Sequence, residues 1–447
     1  MGLCRSRSKT TLGKNLKTPS RSSRYRIRGI WLQLLLVGGL SLIVTAALAR
    51  EGPGISQQRD LRVSRQLASQ ALACIECHRQ TTSGLFLDWA ASAHARAGVT
   101  CHDCHISDEV GPTVSRPHFE QYEHSYLPGG IPINRLPVTA VVTPKACARC
   151  HPDQARQFSK SKHAGSLQIL SSEYWNGSWS WPEIEGEAHR CADCHGTEVK
   201  FLNGAPVTGT WPNSGVGRVN PDGSRGSCTP CHTRHRFSKA EARKPEACAK
   251  CHSGPVYSQW EIYKASKHGG IYATDGGRWQ WDLGPLAWQA GAGYRSPTCA
   301  SCHISGVRGS LLTNHNVSAR LSWELQTPLS IRPEEFSPWP ASRTWLEARQ
   351  EMMTVCLQCH GKGSVERHYQ RLDIAVAEYN TVYFRMALLR VKDKSSVALG
   401  EEEDVASFVD LWHRHGRLAR MGAAMMSPEF LWQRGFYECK KAFLKLR

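Results

Sequence analysis

Eight Cys-x-x-Cys-His motifs take up sixteen of the eighteen cysteines in this 447-residue chain. In order they are Cys74, Cys77 and His78; Cys101, Cys104 and His105; Cys147, Cys150 and His151; Cys191, Cys194 and His195; Cys228, Cys231 and His232; Cys248, Cys251 and His252; Cys299, Cys302 and His303; and Cys356, Cys359 and His360. A bare Cys-x-x-Cys also suits half of a zinc site or a redox-active dithiol, but neither needs histidine in the fifth place. With 20 histidines in the chain, chance would supply that histidine about once in twenty. Here it follows all eight pairs. The pattern predicts eight covalently attached haem c groups, in which the thiols form thioethers and the adjacent histidine is the proximal iron ligand. Cys4 and Cys439 have no such context and read as bystanders.

About 400 residues then serve eight haems, roughly 50 per cofactor, so porphyrin faces must supply much of the apolar core. The expected fold is mainly α: short helices and long loops around eight haems, with long C-terminal helices. Successive motifs are 27, 46, 44, 37, 20, 51 and 57 residues apart, an irregular array and not a tandem repeat. Residues 175–226 are rich in Gly, Pro and Trp without sustained apolar periodicity, and read as loops over a haem surface. Residues 345–390 and 402–446 read as helical. These features divide the chain into residues 1–49, a multihaem region at 50–341 carrying seven motifs, and a C-terminal helical region at 342–447 carrying the eighth.

The first 29 residues carry nine Lys or Arg and no acid, and residues 30–49 form an uncharged apolar run ending Ala47-Leu48-Ala49. That is an export signal, read as a cleaved signal peptide or as an N-terminal membrane anchor. Either reading exports the remainder, to the periplasm of a bacterium. Nine of the formal +18 charges belong to this segment, leaving +9 for the rest. Sixteen haem propionates would balance that surplus, so no nucleic-acid partner is expected.

Twelve histidines lie outside the motifs, enough for second axial ligands on most haems. His94, His163 and His268 each follow an aromatic residue, Trp89, Phe158 or Tyr263, at a helix-like offset. His235 and His315 are the next candidates, then His124 and one of His413 or His415, with His415 preferred. His102, His118, His189 and His368 read as ordinary surface or hydrogen-bonded histidines. This count permits eight fully ligated haems, or seven and one vacancy. A six-coordinate haem moves electrons, whereas a five-coordinate one binds substrate at iron.

The surroundings of the motifs resemble the hydroxylamine oxidoreductase family of octahaem cytochromes. The likeness rests on His189-Arg190 before the fourth motif, the run Thr210 to Ser224, CTPCHTRHRFS, and EARKPEACAKCH. It continues through WEIYKASKHG, PTCASCHISG, NHNVSARLSWELQTPLS, MTVCLQCH and HRHGRLARMGAAMMSPEF. The resemblance implies that the fourth haem is catalytic, ligated by His195 alone, while the others form a bis-histidine wire within a homotrimer. It also implies a small nitrogen substrate and a redox partner, either a cytochrome or a membrane quinol-oxidising cytochrome.

Two departures bear on direction. Oxidative members carry Gly-Pro-Asp-His where this chain has Gly254-Pro255-Val256-Tyr257. A phenol, with a reference pKa of about 10, is a poor base at neutral pH but can donate a hydrogen bond or a proton. Oxidative members also crosslink the catalytic haem to a tyrosine where this chain has Phe430, and their Trp-His-Gly appears as Gln433-Arg434-Gly435. Tyr437 aligns with a different position. These replacements favour reduction of nitrite, nitric oxide or hydroxylamine at His195 with Tyr257 in the site. Oxidation of hydroxylamine or hydrazine, and electron transfer without nitrogen chemistry, are the alternatives.

Overall fold

A computed structural model describes residues 69–105, 137–170, 188–202, 205–255, 257–395 and 402–446. The calls on the export segment at 1–49, on His118 and His124, and on Val256 lie outside them. Through the first seven motifs the chain makes short helices, many of four to eight residues, joined by ordered turns. The one hairpin among the described residues pairs Phe201–Leu202 with Ala205–Pro206. The helix Ala188–His195 enters the fourth motif, and residues 207–226 beyond it are turns and bends without helix, as their composition implies.

The motifs themselves tend to be helical. Cys101–His105 and Cys299–His303 are single turns, and the latter starts at Thr298, whose hydroxyl accepts a hydrogen bond from Ser301 N–H. One helical turn carries Cys-x-x-Cys along one side and leaves the histidine at its C-terminal end.

The C-terminal helices are longer because their sequences sustain a period near 3.6. In Lys362–Glu378, Val365, Tyr369, Leu372 and Val376 recur at offsets of four, three and four residues and are all buried. They form one core with Tyr379, Phe384, Phe408, Leu411, Trp412 and Phe436. A π-helical turn, Tyr379–Phe384, joins this helix to Arg385–Ser395. A second, Asp410–Gly416, links Glu402–Val409 to Arg417–Ala424. At Gly416 a Cβ would lie 2.1 Å from the Tyr379 ring, so only glycine lets these helices approach so closely.

The helical stretch expected over 402–446 is two pieces. Met426 sits at φ +55° and Pro428 precedes the turn Glu429–Tyr437, so the chain stops after Ala424 and folds back on itself. No helix of the described residues is long and apolar enough to cross a membrane.

A ladder of alternating cations and rings ties the C-terminal helices to the multihaem region. The Arg332 guanidinium lies 3.5 Å from the Trp323 ring centre and 3.7 Å from that of Trp345. Arg349 then lies 4.8 Å from both Trp345 and Tyr369. Asp373 closes the ladder, accepting from Arg349 at 2.6 and 2.7 Å and from Trp323 Nε1 at 2.8 Å.

Candidate haem ligands and active site

Three of the second-ligand candidates share one local design. In Trp89-x-x-Ser92-x-His94, Phe158-x-x-Ser161-x-His163 and Tyr263-x-x-Ser266-x-His268, the serine N–H bonds back to the aromatic residue's carbonyl at 2.8 to 3.0 Å. Its hydroxyl accepts from the N–H three residues on, at 3.1 to 3.3 Å. Each serine is buried. It ends one helical turn and caps the next, which sets the direction in which the histidine leaves the corner. The sequence displayed this serine two places before each histidine, but the aromatic alone was the signal read.

Four motif histidines face a second imidazole at nearly constant separation. Ring centres are 6.1 Å apart for His151 and His94, and 6.0 Å apart for His105 with His235, His252 with His163, and His360 with His268. Two metal–imidazole bonds of about 2 Å, plus roughly 1.1 Å from each nitrogen to its ring centre, make about 6 Å. Each pair joins one motif histidine to one outside the motifs, so the arrangement fits an iron held between them. Protonation also fits, because metal ligation requires neutral imidazole. Burial, with His252, His303 and His195 nearby, pulls His163 down to about 3.

Burial also lowers His315 to about 4, with His232 as its foremost charged neighbour. Its backbone N–H donates to Gln157 Oε1 at 2.9 Å. Phe237 packs edge-on against His94 at 5.1 Å and against His235 at 6.4 Å, so one ring braces ligands of two motifs.

The Nδ1 of His195 donates to the Ser166 carbonyl at 3.4 Å, which leaves Nε2 as the ligating atom. His105 and His303 use the carbonyls of Thr139 and Val317 in the same way, at 2.8 and 3.3 Å. Burial lowers the His195 pKa and the Ser166 contact opposes that. Among the described side chains, no imidazole faces His195 at the 6 Å spacing of the four pairs, and the same holds for His78, His232 and His303.

The backbone around His195 is tightly wound. Val216 N–H bonds the Cys194 carbonyl at 2.9 Å, and a Cβ on Gly215 would fall 2.1 Å from Gly196 N. Arg218, fully buried, ties the loop together through Asn220 Oδ1 at 2.9 Å, the Asn213 carbonyl at 3.0 Å and the Val142 carbonyl at 2.8 Å.

The thiols also reveal the spatial order of the motifs. Cys74 lies beside Cys101, Cys104 beside Cys147, and Cys147 beside Cys228. Cys231 neighbours Cys248, Cys248 neighbours Cys299, and Cys302 neighbours Cys356. Cys194, of the fourth motif, meets Cys251 of the sixth. In space the order is first, second, third, fifth, sixth, seventh, eighth, with the fourth attached at the sixth.

The remaining candidates stand as follows. Tyr257 is half-buried five residues beyond His252, with the Arg417 guanidinium 5.5 Å from its ring centre. Phe430 is buried against Ile262, Leu418 and Met421 of its own chain. His415 is not brought to any motif among the described residues. Its Nδ1 faces the Arg434 carbonyl at 3.4 Å, and it lines an open cavity of about 920 Å³ with Trp432 and Tyr437. His413 is buried beside Arg417, and burial pushes it down to about 3.

Comparison with known proteins agrees with this architecture. A family model described as seven times multi-haem cytochrome CxxCH matches residues 220–378, and one for cytochrome c554 and c-prime matches residues 146–233. A probable nitrite reductase-hydroxylamine oxidoreductase fusion protein of Kuenenia stuttgartiensis is 32% identical over 245 residues, 52% of this chain. The match spans 25% of that longer protein. A solved structure of a hypothetical multiheme protein superposes with a TM-score of 0.70 at 23% identity, covering 86% of this chain and 95% of that one. The reducing HAO-like protein complex of Kuenenia stuttgartiensis superposes at 0.60 with 18% identity, covering 84% of each chain.

Proposed function

We propose that this chain, a covalently haem-bearing cytochrome c of mainly α multihaem fold, is an octahaem oxidoreductase that reduces small nitrogen compounds at the site of Cys191, Cys194 and His195. The observation that carries the reading is that no described imidazole stands opposite His195 at the 6.0 to 6.1 Å of the four pairs, a feature it shares with His78, His232 and His303, and among these four the family resemblance picks out His195. Haem bound at this motif would be held by Cys191, Cys194 and His195 and would supply one-electron chemistry.

The protein's own groups do the rest. Ser166 fixes the His195 tautomer and ring plane, leaving Nε2 to ligate. The loop held by Arg218 and Asn213 packs closely on the motif, which limits water around a reacting anion. Tyr257 is the hydrogen-bond and proton donor to nitrite, nitric oxide or hydroxylamine. The meeting of Cys194 and Cys251 sets the sixth motif as the point where electrons reach the fourth.

Two observations support reduction over oxidation. A phenol replaces an acid-and-imidazole pair at 256–257, and Phe430 is packed into its own chain's core with no hydroxyl to crosslink. The reading includes export to the periplasm, a homotrimer, and electron supply from a cytochrome or a membrane quinol-oxidising cytochrome.

Carbon monoxide added to the reduced holoprotein should bind one iron per chain, and the oxidised protein should show one high-spin haem. Nitrite or hydroxylamine should then reoxidise the reduced protein, with ammonium or nitric oxide appearing. A wholly low-spin protein, blind to carbon monoxide, would leave no iron for substrate and remove this reading.

A further inference from the structure

One face of a C-terminal helix is polar where a core-packed helix should be apolar. His413, Arg417 and Arg420 recur at offsets of four and three residues and turn inward, and both arginines are 0% exposed at side-chain level or nearly so. Taking guanidinium groups out of water carries a cost of several kcal/mol per ion before partners offset it. Arg420 is seated as a structural cation. It donates to the carbonyls of Gly416 and Thr327 at 2.8 and 2.9 Å and to Ser330 Oγ at 2.6 Å, and stacks 3.9 Å from the Tyr379 ring centre.

Arg417 is seated differently. Its Nε and Nη2 both donate to the single carbonyl of Gln326, at 3.1 and 2.9 Å. The same guanidinium also meets Tyr257, 5.5 Å from the ring centre. Burial draws Arg417 down to about 10, and the neighbouring Tyr257 hydroxyl partly opposes this. A permanent positive charge is thus held from behind by Gln326 and set against a half-buried phenol. That phenol follows the sixth motif, whose Cys251 touches Cys194.

We infer that Arg417 is a positioning residue for Tyr257: it orients the phenol and places a fixed positive charge behind it, so that the site favours an anionic nitrogen oxide over a neutral amine. The inference rests on the reading that Tyr257 faces substrate at His195. The charge acts through the phenol, strengthening its O–H as a donor, and an oxyanion such as nitrite gains more from that bond than neutral hydroxylamine does.

The test uses the full-length holoprotein with reduced methyl viologen as electron donor and nitrite or hydroxylamine as substrate. Arg417→Met should raise KM for nitrite by about tenfold, the scale of one charge-assisted contact, and leave that for hydroxylamine within about twofold. Arg417→Lys keeps the charge but loses the planar fork, and should recover most of the nitrite effect. In a Tyr257→Phe background, Arg417→Met should add less than about twofold, because the two residues act as a unit.

Equal losses on both substrates, or full additivity with Tyr257→Phe, overturn the inference and assign Arg417 to packing alone. If the methionine variant fails to take up haem, Arg417→Lys against Arg417→Lys/Tyr257→Phe decides by the same additivity criterion. Inertness of the unsubstituted protein towards both substrates removes the proposed reaction, and this inference with it. An active protein whose Arg417→Met variant is unselective removes the inference only.

Discussion

Replacing Trp345 by leucine removes the central ring of the cation–aromatic ladder while keeping an apolar side chain in its place. The ring contacts two guanidinium groups, Arg332 at 3.7 Å and Arg349 at 4.8 Å. A partly desolvated contact of this kind is worth about 1 to 2 kcal/mol at the shorter distance and about 0.5 to 1 at the longer, so the loss is about 1.5 to 3 kcal/mol. Unfolding entropy near 2.1 cal/mol/K per residue, over the roughly 320 described residues, makes about 0.7 kcal/mol/K. The thermal midpoint of the holoprotein should therefore fall by about 2 to 4 °C. Calorimetry of Trp345→Leu, Arg332→Met and the double variant isolates the shared contact. A coupling of about 1 to 2 kcal/mol is expected. Additivity within about 0.5 kcal/mol would mean that Arg332 and Trp345 contribute independently, and the ladder would be a coincidence of packing.

Three further outcomes follow from the geometry. Phe237→Ala removes the ring that braces His94 and His235, so the oxidised spectrum should gain high-spin character from two motifs; an unchanged spectrum would show that these ligands need no brace. Gly416→Ala forces a Cβ to within 2.1 Å of the Tyr379 ring, and should cost about 2 to 3 kcal/mol, read as a lower midpoint that Tyr379→Leu partly restores. At Asp373, burial works against ionisation, but hydrogen bonds from Arg349 and Trp323 outweigh it and hold the carboxyl below the usual carboxylate range. A carboxylate depressed in the folded state stabilises above its unfolded value and loses that contribution as pH falls through the folded one. Asp373→Asn should thus flatten the midpoint-against-pH curve below about pH 4, and a curve as steep as that of the unsubstituted protein would contradict the assignment.

The parts of the site legible in the sequence are those built from short-range rules. Cys-x-x-Cys-His is one helical turn, and the corners leading to His94, His163 and His268 are each six residues long, so their chemistry lies in consecutive letters. Which motif each second histidine serves was not legible. His94 stands opposite His151, 57 places on, and His163 opposite His252, 89 places on, because tertiary packing sets those distances. His415, one of two nearby histidines offered as a second ligand, lies in a π-helical turn with its Nδ1 3.4 Å from the Arg434 carbonyl, a contact the sequence does not display. Arg417 is buried, at a position that helical periodicity alone treats as surface for a cation. The break at Met425 to Pro428 could have been found, since a proline inside a helical pattern ends the helix before it.

The attachment of the fourth motif at the sixth has a consequence for how electrons are shared. A reaction centre placed within a line is a toll gate, since all current must cross it. Here Cys194 meets Cys251 to one side of the sequence that runs from Cys74 to Cys356, so charge can pass from end to end without touching the centre. On the proposed reading, the sixth motif is a junction with three arms, and the fourth motif is a terminus served by the other two. Disabling the seventh motif would leave the arm through the first, second, third and fifth able to supply it. In the proposed reduction, which takes up several electrons in succession, the fourth motif would draw on a reserve from two sides.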